Sequence, residues 1–200
     1  MISVDANLFR IAAFAVSTEE TRYYLRGVYI EPHLVKGVIM TATNGRVLTT
    51  IHDESGDMGG CSPAIVKLPG KVLADCKAKK TKRTTTEPRM LVDPSADLAV
   101  VQVDGEEKTR AYRVIVDETF PDWRCVHPSQ VKDRAGADAA FSHSVMRVLV
   151  DTAAALESPM AMSNINANDI ALVNFPGQSH VSCLAAPFRA DTTPRRPYWL

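Results

Sequence analysis

Three times along this 200-residue chain an alternating apolar strand runs into a glycine-containing turn and is followed by another strand, at Asn44-Gly45, Asp104-Gly105 and Pro176-Gly177. Glycine tolerates the positive φ that such turns need, so each dipeptide reverses a strand onto its neighbour. The first instance is the fullest. Tyr24 to Ile30 and Gly37 to Thr43 have strand period and are rich in β-branched and aromatic residues, and a turn at Glu31-Pro32-His33 joins them as a hairpin. Beyond Asn44-Gly45, Val47 to Ile51 supplies a third antiparallel strand.

Each meander follows a short strand and a helix. Met1 to Val4 alternates, and Asp5 or Asn7 can cap a helix over about residues 6–17 whose apolar face is Leu8, Phe9, Ile11, Ala12, Ala15 and Val16. The second round has Ala64 to Leu68 as a strand, a short helix after Pro69-Gly70 with Val72, Leu73 and Cys76 on one side, and strands at Arg89 to Val92, Leu98 to Val103 and Thr109 to Val116. The third has Asp138 to Phe141, a helix over Ser142 to Leu156, and strands at Met160 to Asn164, Asp169 to Phe175 and His180 to Pro187. The fold class is therefore α+β, built from three successive strand-helix-three-strand units with helices on one side of antiparallel sheets. A sheet of this size leaves one face and one edge to bury, so the units are expected to pair. Residues 1–128 make one full domain of two units (about 1–62 and 63–128), 129–189 make a half-domain, and 190–200 are expected to form a flexible tail.

Charge excludes the simplest nucleic-acid binder. Lys+Arg and Asp+Glu both number 23, so affinity for phosphate must come from local placement, and the densest basic run is Lys77 to Arg83. The four cysteines have no zinc spacing and are expected to be reduced thiols in a cytoplasmic protein without metal or cofactor. Cys125 with His127, or Cys183 with His180, would be the thiol-catalysis candidates, but neither pair sits in an activating context, so no enzymatic activity is expected. No apolar run approaches the roughly 18 residues that a membrane helix needs, and no leader pattern opens the chain.

Four segments carry a resemblance: Thr21-Arg22-Tyr23-Tyr24-Leu25-Arg26-Gly27, Ala42-Thr43-Asn44-Gly45-Arg46-Val47-Leu48, Phe120-Pro121-Asp122-Trp123-Arg124-Cys125-Val126-His127-Pro128 and Ala186-Pro187-Phe188-Arg189. In this order and spacing they resemble signatures of the bacterial sliding clamp, the β subunit of DNA polymerase III, in a shortened form of the kind a phage could encode. The resemblance implies a DNA-clamp fold, and a processivity factor that encircles double-stranded DNA without reading its sequence. It implies a pocket for a short peptide of the polymerase and clamp loader, formed by Leu25, Thr43, Gly45, Arg46, Val47, Leu48, Pro121, Val126, Pro187, Phe188 and Arg189. Val47 and Cys125 stand where the family often has Arg, and Ala186 and Phe188 where it usually has Met, so client preference is expected to differ. Helices of the family line the DNA, which implies DNA-facing roles for Arg10, Lys71, Lys77, Lys79, Lys80 and Arg147, with Tyr23 and Tyr24 in a loop near the hole. A ring of such units implies a homo-oligomer, with a tetramer supplying the family's twelve units; an adaptor or decoy that binds client peptides without a ring is the alternative.

Overall fold

The computed structural model describes residues 1–80, 85–128, 139–163 and 170–188, with the side chains of Lys80 and Thr85 left aside. Arg189 and the segment 190–200 lie outside the described residues, as do Asn164, Asp169 and Asp138 at the ends of expected strands. The chain divides into Met1–Asp122 and Trp123–Leu200.

In the first unit, β1 (Ile2–Asp5) leads into α1 (Ala6–Ala12), and the meander is β2 (Val28–Pro32), β3 (Val38–Thr43) and β4 (Val47–Asp53). The second round is β5 (Ala64–Val66), α2 (Gly70–Asp75), a two-residue hairpin of β6 (Lys79–Lys80) and β7 (Thr85–Thr86), then β8 (Arg89–Asp93), β9 (Leu98–Val103), β10 (Glu106–Tyr112) and β11 (Ile115–Val116). Each leading strand deserts its own meander for the other one. β1 lies antiparallel to β8 with Ile2 opposite Val92, and β5 lies antiparallel to β2 with Val28 opposite Val66. The exchange covers one open edge of each meander, at β8 and at β2. The resulting orders are β1-β8-β9-β10 and, within this unit, β11-β5-β2-β3-β4.

The core follows the strand and helix periods. Ile2 and Val4 of β1, Phe9 and Ile11 of α1, Val28 and Ile30 of β2, Met40 and Ile51, and Met90 and Val92 of β8 are all buried. Full burial of such side chains stabilises by about 1.5–3 kcal/mol each. Asp5 caps α1 by accepting from the Leu8 amide at 2.8 Å. Asp53, 3% exposed, fastens the exchanged strands: it accepts from the Asp5 amide at 2.7 Å and from the Ser55 amide and hydroxyl, and lies 3.8 Å from the Arg89 guanidinium. Arg89 in turn donates to the Ser3 and Ser55 hydroxyls. Burial pushes the Asp5 carboxyl above its usual value and the Asp53 charge adds to that, against the lowering effect of the Leu8 and Asn7 amides and of Arg89.

Four sequence expectations need correcting. The strand expected from Tyr24 starts at Val28, because Glu20–Leu25 form a 3-10 segment whose Arg22 (φ −110°, ψ 50°) interrupts regular geometry. Glu31 and Pro32 stay in β2, where Pro32 can end a strand without its missing N–H, and the turn falls at His33–Gly37 with Gly37 at φ 81°. Thr109 to Val116 is two strands, not one. Arg113 at φ 57° and Asp97 at φ 49° make the break; the Asp97 carboxylate accepts from the Val114 and Ile115 amides at 2.8 and 2.7 Å, sending β11 to β5 while β10 stays on β9. Lastly, α2 stops at Asp75, so Lys77, Lys79 and Lys80 are not helical.

The second unit holds α3 (His143–Leu156) and β12 (Ala161–Ser163), β13 (Ala171–Asn174) and β14 (Val181–Ala185), paired antiparallel in that order. Ser142 caps α3, and Glu157 ends it in the left-handed region at φ 52°. Val145, Leu149, Thr152 and Leu156 are its buried stripe, at helical spacing. Among the described residues the expected leading strand shows one bridge, in which the Phe188 amide donates to the Ala140 carbonyl at 2.6 Å. The three glycine turns differ in kind. Asp104 and Gly105 are both at positive φ, as a type I′ turn needs, whereas Pro176-Gly177 has type II character with the Gln178 amide on the Phe175 carbonyl at 2.8 Å. Among the described residues no helix is long and apolar enough to cross a membrane.

Candidate functional site

The Asn44-Gly45 turn is rigid because its side chains bond its own backbone. Asn44 Oδ1 accepts from the amides of Arg46 and Val47, both at 2.9 Å, while Thr43 Oγ1 accepts from Gly45 and donates to the Val47 carbonyl at 2.7 Å. Gly45 sits at φ 83°, and a Cβ placed there would lie 2.6 Å from Arg22 Nη1. Arg22, ion-paired to Glu19 at 3.1 Å, therefore laps over this turn. Sequence reasoning placed Arg22 in a motif but not in the site; its signal was the motif it shares with Leu25.

Each expected pocket residue has a definite setting. In the first unit Leu25, Val47 and Leu48 are buried, Thr43 is half-buried, and Gly45, Arg46 and Pro121 are exposed. Pro121 follows Phe120, whose ring stacks on Tyr29 with centroids 4.9 Å apart and planes 1° apart, which anchors the segment. In the second unit Trp123–Val126 form a 3-10 turn with the Arg124 guanidinium 4.4 Å over the Trp123 ring. His127 meets the edge of that ring at 5.9 Å, and burial lowers its pKa below the usual value. Val126 and Phe188 are 45% and 51% exposed, and Pro187 is half-buried. Large apolar side chains so exposed on loops are suited to capture a ligand.

The expected DNA-facing residues are less uniform. Arg10 bonds Asn7 Oδ1 through two nitrogens and lies 5.2 Å from the Phe14 ring centroid, and burial lowers its pKa. Lys71 is exposed on α2, Lys77 is exposed beyond it, and Lys79 is exposed in β6, with its amide bonded to Thr86 Oγ1. The Lys80 side chain lies outside the described residues. Arg147, 81% exposed on α3, lies 3.6 Å from Asp151 one turn on, an ion pair weak enough to yield to phosphate. Tyr23 is 50% exposed and meets Tyr24 edge-on at 6.0 Å; the charge of Glu118, hydrogen-bonded to its hydroxyl, raises its pKa above the usual value. Tyr24 is half-buried. Of the thiols considered for catalysis, Cys183 is wholly buried and Cys125 exposed.

No family model matches the chain. It is 28% identical over 140 residues to the Beta sliding clamps of two Caulobacter vibrioides strains, covering 64% of this chain and 34% of each of those proteins. The chain thus spans about a third of the length of the curated relatives it matches. Among solved structures, the DnaN sliding clamp (DNA polymerase III subunit beta) of Bartonella birtlesii, solved bound to griselimycin, superposes with a TM-score of 0.66 at 18% identity over 94% of this chain and 66% of that one. The DNA polymerase sliding clamp of Bacillus subtilis gives 0.64 at 18% identity over 94% and 64%. Paired, strand-exchanged repeats and a partial sequence match lead to the same conclusion: this chain has the α+β fold of DNA sliding clamps and is similar in sequence to bacterial Beta sliding clamps.

Proposed function

We propose that the protein is a sliding clamp, a processivity factor without catalysis of its own that surrounds duplex DNA and tethers a polymerase through a short peptide. The observation that supports this most is the likeness to solved clamps over 94% of the chain. Its physics suits a tether. Exposed cations such as Lys71, Lys77, Lys79 and Arg147 can meet phosphates diffusely, without base contacts. The rigid Thr43–Leu48 turn, Pro121, Val126, Pro187 and Phe188 are the proposed peptide-binding residues, with Arg189 added from the resemblance alone; a preorganised turn and apolar side chains receive anchors at little ordering cost.

The experiment is titration of a peptide bearing a glutamine and bulky apolar residues. Phe188→Ala should weaken binding by about 1–3 kcal/mol in a variant with an unchanged melting temperature; unchanged affinity would remove Phe188 and its neighbours from the site. Ring closure is a separate claim; the chain covers 66% of the Bartonella birtlesii clamp, and four copies of its three repeats would make twelve units. The second reading is an adaptor that binds the same peptides as a monomer. Light scattering across a concentration series separates the two: a limiting mass near four chains supports the ring, and a persistent monomer supports the adaptor.

A further inference from the structure

The β2–β3 hairpin ends in an apolar knob that its own chain does not cover. Leu34 is 100% and Val35 88% exposed, more than any other large apolar side chain among the described residues. Flexibility does not explain this, because the tip is pinned from several sides. The His33 amide donates to the Gly37 carbonyl at 3.0 Å, His52 Nε2 and His33 Nδ1 meet the Lys36 carbonyl at 2.8 and 3.1 Å, and the two imidazole rings lie 4.2 Å apart. Lys36 adds a cation beside the knob, held by an exposed ion pair to Glu54 at 3.1 Å. A well-braced turn that presents two bare aliphatic side chains and one ammonium is built to be received elsewhere.

The same sheet carries a receptor of matching chemistry. A cavity of about 480 Å³ opens beside β11, and its floor includes Tyr29, Ile65 and Val116, which stand opposite one another across β2, β5 and β11. Its rim carries Asp93, Asp117 and Glu118; the Met1 ammonium acts on Asp93, and no lysine, arginine or histidine lines the cavity among the described residues, so carboxylates are in excess. An apolar floor under three carboxylates suits aliphatic side chains that arrive with a cation. Leu34 touches nothing of its own chain, so it does not fill this cavity in cis. Ile30, four residues before Leu34, is paired with the lining residue Ala64, so knob and cavity lie at one end of one sheet. A single two-fold axis there would seat each knob in the other copy's cavity and form both contacts at once.

We propose that the Leu34-Val35 knob docks into the acidic cavity of a second copy of this chain, forming a reciprocal contact between clamps. It uses none of the residues assigned to peptide or DNA, and it stands independently of that assignment. Two aliphatic side chains on each partner bury far less than the roughly 1,600 Å² of a standard interface, so the pairing is weak and concentration-dependent.

Cys61 lines the cavity and provides the test. In a Cys125→Ser background, which removes the exposed thiol, Leu34→Cys under mild oxidation should give a disulfide-linked dimer that disappears when Cys61→Ser is added. Because Leu34 is bare of contacts, its replacement leaves folding untouched. Reversing Asp117 and Glu118 to lysine should lower the cross-linking yield about five-fold, and Lys36→Glu should restore it, as charge steering requires. A dimer that persists without Cys61, or no dimer at concentrations where both thiols still react with a small reagent, would overturn the proposal.

Discussion

At the scale of single residues, the proposed peptide-binding region depends on positions whose demands are geometric. Gly45 must hold φ 83° and leave room for the Arg22 guanidinium. Gly45→Ala should therefore cost about 1–3 kcal/mol in thermal or denaturant unfolding, and it should loosen peptide binding more than Gly60→Ala, which also sits at positive φ but has nothing within 4 Å. Equal effects on peptide affinity would mean that the Arg22 approach has no part in the site. Asp5 gives a prediction in pH. Its folded pKa is raised above the ordinary carboxylate value of 3.8, chiefly by burial, so its contribution to stability is complete below that value and is lost as pH rises through the folded pKa. Asn is as good a cap. Asp5→Asn should then fall behind the parent at about pH 4 and match or exceed it near neutrality, and a parent advantage that grows with pH would contradict the assignment. Most of the proposed site residues could be found in the sequence because the motifs hold them in short, ordered runs. Arg22 was harder to place, since its approach to Gly45 exists only after the 3-10 segment replaces the expected strand.

At the scale of elements, the helices and meanders were readable wherever one period ran long enough. The stripe of Val145 and Leu149 on α3 and the alternation in β3 and β8 are examples. Reading failed where a side chain overrode a continuous pattern. Nothing in Thr109 to Val116 announces a change of sheet, because the switch is made by Asp97, more than ten residues earlier in sequence. Removing that carboxylate with Asp97→Ala strands two amides and should cost about 2 kcal/mol or more, whereas Asp97→Asn, which tolerates the left-handed region and still offers an oxygen, should cost less. Chemical denaturation of the two variants would check the order. The basic run departs from the expected helix for a similar reason: α2 ends at Asp75, and Lys79 and Lys80 pair with Thr86 and Thr85 as a hairpin. Neutralising Lys77, Lys79 and Lys80 together should flatten the dependence of DNA binding on log salt by about 0.9 for each phosphate that is no longer neutralised. An unchanged slope would show that this hairpin does not face DNA.

At the scale of the whole molecule, the repeat was legible and the strand exchange was not. Local period reports which residues can form a strand, but it carries no record of which distant edge will accept it; β1 and β8 are joined across more than eighty residues. That exchange binds the first two repeats into one body, while among the described residues the third shows the Ala140–Phe188 bridge where a leading strand is expected. In the proposed ring, each joint between copies must cover the sheet edges that the copies bring to it. The most direct measurement is retention on a nicked plasmid, washed at a salt concentration that removes simple phosphate contacts, before and after one restriction cut. An encircling clamp stays with the intact circle and is released when the circle becomes linear. Equal retention on both forms, or none on either while client peptide still binds, would contradict encirclement and leave a peptide-binding adaptor.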